Sequence, residues 1–194
     1  MPDQEQPLIS DPKRLRALSH PLRWKLMSLI DSEQTATATR CAEVLGESVA
    51  SCSYHLNMLA KYDFVEEAPG GQGREKPWRL VSRDQSFSGE GLGEEGQLAA
   101  EAAGEAFLDN EYGVMKERMR RRSLEPEEWR KESTGFNAST LYLTPDEASE
   151  LRRHIMELTD RHDDRWSNPD LRPSDARQVR VFLSLTVAPQ HPRK

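Results

Sequence analysis

Leu15, Leu18, Leu22, Leu26 and Leu29 recur at steps of three and four residues, the spacing at which one side of an α-helix repeats. Pro21 interrupts that stripe. A proline removes an intrahelical hydrogen bond and is at home only in a helix's first turn. The stripe is therefore shared by two helices, the second opening at Pro21 after Ser19-His20. Thr35, Thr37 and Thr39 supply N-caps for a short helix ending at Leu45, with Gly46 as its left-handed stop. Ser48 caps the next helix, over 49–62, whose inner face offers Cys52, Leu56 and Leu59. Residues 64–67 and 77–81 read as two short strands, joined by a glycine-rich polar tip from Pro69 to Lys76.

Composition limits what these pieces can build. Of 194 residues only 36 % are hydrophobic, against a usual share of roughly 45–50 %. Such a chain favours small cores, exposed helices, or a core completed by a second subunit. No run approaches the ~18 apolar residues of a membrane span. The start, Met1-Pro2-Asp3-Gln4-Glu5, lacks the basic and apolar regions of a secretory leader. Cys41 and Cys52 are too few for a disulfide scaffold. The expectation is a soluble, cytoplasmic chain with no membrane partner.

The net charge of −6 argues at first against nucleic acid. Its distribution reverses that. Residues 11–82 hold ten bases and nine acids, whereas 84–111 hold eight acids and no base. Ser86, Ser88, Gly89, Gly91, Gly93 and Gly96 crowd into the same acidic stretch, which reads as a flexible linker over 83–97.

Two short helices around a glycine turn, followed by a hairpin with a basic tip, match a winged helix-turn-helix. Ala42 is small enough for a close helix crossing, and Cys41, Leu45, Cys52 and Leu56 form the apolar set between the helices. Ala50, Ser51, Ser53, Tyr54 and Asn57 remain outward, mostly short groups suited to base edges and phosphates in a major groove. Arg74 and Lys76 at the tip suit phosphate or the minor groove.

The segment Arg14-Leu15-Arg16-Ala17-Leu18-Ser19-His20-Pro21-Leu22-Arg23 resembles the opening of ArsR-type winged helix transcriptional regulators. Residues 41–48 and 51–59 are similar to that family's helix-turn-helix core, and Asp63-Phe64-Val65 occupies the place of its Gly-Leu-Val entry into the wing. The resemblance covers about 11–81, under half of the chain. It implies a homodimeric repressor on a roughly palindromic double-stranded operator, with Ser48, Ser51, Ser53, Tyr54 and His55 as DNA contacts. Tyr54 stands where many members carry Arg. His55, beside apolar Leu56, has a second reading as a packing residue. The alternative for the domain as a whole is a winged-helix module that binds protein instead of DNA.

Chemistry-bearing constellations are sparse. Cys41 and Cys52 occupy positions normally apolar and read as buried small hydrophobes, with a thiol switch across the helix pair as the alternative. His154, Asp160, His162, Asp163 and Asp164 read as a solvated helix face, so no metal or other cofactor is expected. No phosphate-cradling loop or nucleophile elbow is present, and the chain does not read as an enzyme.

Beyond the linker, 98–122 reads as one long helix within a segment 98–132. Leu108, Tyr112, Met115 and Met119 form a stripe that seeks a partner helix. In the resembled family the helix after the wing makes the dimer. The basic cluster Arg118, Arg120, Arg121 and Arg122 suits the end of that helix. In 133–188, strand character over 136–143, a proline-started helix from Thr144 to about Trp166 and an alternating strand over 179–187 suggest a small strand-helix-strand unit. That unit enlarges the dimer contact or binds an unidentified small-molecule effector. The expected fold class is mainly α with small β (α+β): a winged helix-turn-helix over 11–82, a long helix, and this unit.

Overall fold

The computed structural model describes residues 8–71, 75–82, 85–131, 135 and 137–189. They divide into two compact units, 1–122 and 123–194.

In the first unit, α1 (Pro12–Leu18) starts at Asp11, whose carboxylate accepts the Lys13 N–H. α2 (Pro21–Glu33) starts at His20, whose Nδ1 accepts the Leu22 N–H at 3.2 Å. Both helices carry proline at their first position. All five leucines of the stripe are buried, with Trp24, Met27 and Ile30. α2 buries more than one face because it packs against later helices and a later strand. β1 (Ala36–Thr37) leads into α3 (Ala38–Leu45), capped by Thr37 and closed by Gly46 at φ 69°. α4 (Val49–Lys61) is capped by Ser48, which accepts the Ser51 N–H. β2 (Val65–Glu67) and β3 (Pro77–Leu80) complete an antiparallel sheet in the order β1-β3-β2. Glu66 pairs with Arg79 in register, and their side chains form a 2.8 Å ion pair. The pairing of β1 is absent from the sequence reading, because a two-residue strand has no periodicity to detect.

Within the stretch read as a flexible linker, the described residues 85–97 make packing contacts around Phe87. Ile9 and Phe87 form a parallel bridge, with Ile9 N–H donating to Ser86 O at 2.9 Å. The Phe87 ring lies 6.1 Å from both Trp24 and Phe107, themselves 5.0 Å apart. One half-buried aromatic anchor, Phe87, holds the segment despite the glycines around it. The long helix α5 (Glu94–Arg121) consequently begins four residues earlier than its apolar pattern suggests. It lies along α1 and against α2, burying Glu111 and, in its first half, a face made of Gly96, Ala99, Ala103 and Ala106. The residues of that face lack bulk, so the helix axes can approach closely. Arg16 pairs with Glu95, and Asn110 Nδ2 donates to Ser28 Oγ at 2.9 Å.

The second unit holds α6 (Glu127–Lys131), α7 (Pro145–Asp160) and α8 (Asp164–Ser167). α7 opens with the proline start expected of it and a reciprocal capping box. Glu147 N–H donates to Thr144 Oγ1, and Thr144 N–H donates to the Glu147 carboxylate at 2.8 Å. Hydrogen bonds from Thr144 hold that carboxyl below its ordinary pKa. The two flanking strands are corrected: among the described residues, 137–143 and 179–187 make no ladder. Alternation permits a strand, but a strand also needs an edge to pair with. Tyr142 and Val187 are correspondingly exposed, at 99 % and 96 %.

Candidate nucleic-acid interface

The sharp turn at Gly46 allows its N–H, and that of Glu47, to donate to Ala42 O at 3.0 and 3.2 Å. α3 and α4 then meet through fully buried Cys41, Cys52 and Leu56, and Leu59, further along α4, is buried as fully. A helix fixed on that side must present the other. Ser48, Ala50, Tyr54 and Asn57 are exposed, and Ser51 and Ser53 half-buried. Tyr54 is the largest outward group, 60 % exposed. Asn57 Nδ2 donates to Ser53 O at 2.8 Å, one turn back. Among the residues read as DNA contacts, these six share one exposed helix surface.

His55 does not join them. It is 8 % exposed, and its Nδ1 accepts the Arg23 Nε–H at 3.3 Å. Its ring packs against that of His20, with centroids 4.3 Å apart and planes tilted by 41°. Arg23 is itself buried and donates from Nη1 to Ala17 O at 2.6 Å. Burial first, then His20 and Arg23, lower the His55 pKa below its ordinary 6.5. Arg23 and His20 received no role from the sequence. The signal available was their presence in the His20-Pro21-Leu22-Arg23 run ahead of α2.

The bases near this surface have acidic neighbours. Lys76 pairs with Glu67, Arg79 with Glu66, and Arg40 with Glu33 at 2.7 Å and Glu43 at 3.6 Å. Thr39 donates to Glu75 at 3.0 Å, tying α3 to the wing. Arg74 lies outside the described residues. These exposed pairs are individually weak, so a polyanion can exchange for the acids at small cost.

The cysteines are free and buried. Burial pushes the Cys41 thiol up to about 11, and the Cys52 thiol also rises. A protonated thiol is a poor nucleophile and metal ligand. Among the described residues no group of three His, Cys, Asp or Glu side chains is placed to hold a metal ion. No helix described is long and apolar enough to cross a membrane.

Residues 18–68 match a family model described as a helix-turn-helix domain. The matched segment runs from the end of α1, through both helices of the turn, to the first wing strand. These residues form a helix-turn-helix domain. Such a domain is a DNA-binding, regulator-type module, and the exposed face of α4 is its second helix. No curated protein matches the chain. The stripe Leu108, Tyr112, Met115 and Met119 lies on α5, outside the match; Leu108, Tyr112 and Met119 are exposed there, and Met115 is half-buried.

Proposed function

We infer that this protein is a sequence-specific transcription regulator of the ArsR type. It binds a roughly palindromic double-stranded operator as a homodimer and acts as a repressor in the cytoplasm. What carries the reading is the outward surface of α4, held by buried Cys52, Leu56 and Leu59 on its other side. Ser48, Ala50, Ser51, Ser53, Tyr54 and Asn57 contact the major groove, with Lys76 and Arg74 on neighbouring phosphate. Leu108, Tyr112, Met115 and Met119 on α5 meet their counterparts in a second copy and set the separation of the two reading helices. Residues 133–188 enlarge that contact.

Enrichment of duplexes from a random-sequence pool by the full-length protein tests this directly. Gel shifts of the enriched duplex at about 50 and about 200 mM salt then separate readout from charge. A shared, symmetric motif and a steep fall with salt are expected. Failure to enrich any motif would leave the domain as a protein-binding module.

A further inference from the structure

Three side chains join α2 to the buried side of the reading helix. Arg23 Nη1 is fixed on Ala17 O, and its Nε–H reaches His55 Nδ1. The His20 ring lies 4.3 Å from that of His55, with its own Nδ1 accepting the first N–H it caps in α2. An Nδ1 that accepts must be unprotonated, so the neutral His55 ring carries its single proton on Nε2. A second proton on His55 would go to Nδ1. It would turn the acceptor into a donor aimed at a guanidinium and place a cation among buried groups. The groups facing His55 are His20 and Arg23 from α2, Glu47 from the α3–α4 turn, and Tyr54 on α4 itself. Tyr62 faces Arg23. Glu47 alone favours the charged ring, and it ranks last among the influences on His55.

We propose that His55 is a positioning residue. Its neutral ring, held by Arg23 and packed against His20, keeps α4 at its reading angle, so DNA binding weakens as the pH falls. This inference rests on the DNA-binding reading of α4. Its sign separates it from a direct contact. A histidine touching phosphate binds more tightly when protonated, and added positive charge elsewhere on the protein acts in the same direction. Release of α4 acts in the opposite one. For stability, the folded His55 pKa lies below the unfolded value, so the unfolded state binds more protons in the interval between them. Stability is then complete above about pH 6.5 and is lost as the pH falls below it.

The test uses the full-length chain and the duplex enriched at about pH 8, with affinity measured from about pH 8 to about pH 5.5 at constant salt. A loss of about tenfold is expected. In His55→Asn the amide oxygen takes the Nδ1 position, still accepts from Arg23 and cannot be protonated, so the pH slope should flatten. Ring NMR of the DNA-free protein follows the His55 titration, and α4 amide shifts should move with the same midpoint. Constant or tighter binding by the wild type at low pH overturns the proposal. So does an unchanged slope in the Asn variant, or α4 shifts that ignore the His55 titration. If no duplex is enriched, the DNA-binding reading falls, and the NMR arm still decides whether His55 holds α4.

Discussion

Arg23 and His55, thirty-two positions apart, form a buried side-chain hydrogen bond that joins the second helix to the reading helix. Removing the guanidinium strands two buried acceptors, His55 Nδ1 and Ala17 O. An unsatisfied buried group costs about 1–3 kcal/mol. Arg23→Met should therefore lower unfolding free energy by about 2–6 kcal/mol in urea titrations. A loss comparable to that of an exposed arginine would mean the pair holds nothing.

Asp63 ends the turn after α4 at φ 59°, one of two non-glycine residues described with positive φ. This is the position at which the resembled family carries glycine. Alanine is disfavoured in that conformation by about 1 kcal/mol, whereas glycine enters it freely. Asp63→Ala should lower the thermal midpoint and Asp63→Gly should not. Equal losses in the two variants would rule out backbone strain as the reason.

The two faces of α5 should respond differently. Ala103 is fully buried on α5, which packs against α1 and α2, and Ala103→Leu should overpack the site at a cost of about 1–3 kcal/mol. Tyr112→Arg, on the exposed stripe, should leave monomer stability nearly unchanged and lower the mass seen in analytical ultracentrifugation. An unchanged mass would remove this stripe from the proposed dimer.

Lys76 and its partner Glu67 should shift DNA affinity in opposite senses. Lys76→Ala should weaken all duplexes alike and reduce the salt slope by about 1, and Glu67→Gln should strengthen them. Ser51→Ala and Tyr54→Ala should change sequence preference instead. Motif enrichment with each variant checks the division between wing and reading helix.

Cys41, whose thiol is pushed up to about 11, is protonated at neutral pH, and both cysteines are buried. Disulfide-exchange reagents should label the native protein only as fast as it opens, and rapidly in denaturant. Stoichiometric labelling within seconds under native conditions would revive the thiol switch. So would oxidant-induced loss of DNA binding that disappears in the double Cys→Ser variant.

Local rules made much of the reading domain legible. Pro21 starts a helix, Thr37 and Ser48 cap the next two, and Gly46 ends one. Each effect acts within about one helical turn, so neighbouring residues suffice to specify it. The inward set Cys52, Leu56 and Leu59 follows from the same periodicity. With the glycine turn it determines the α3–α4 pair and the surface left outward. Other choices depended on distant partners. α5 has a small-residue face and a bulky apolar face, and the sequence points to the second as the one to be covered. Within the first unit the Gly96–Ala106 face is covered, because it permits close approach to α1. Phe87 turns a glycine-rich stretch into packed structure only because Trp24 and Phe107 are there to receive it. His55 reads equally well as a contact or a packing residue until Arg23 and His20 are placed beside it. Conversely, the alternating segment 179–187 has a strand's pattern and no edge to join. Sequence determined what each helix start and turn could be. Tertiary structure decided which faces were covered, because burial depends on the shape and polarity of a partner far away in the chain.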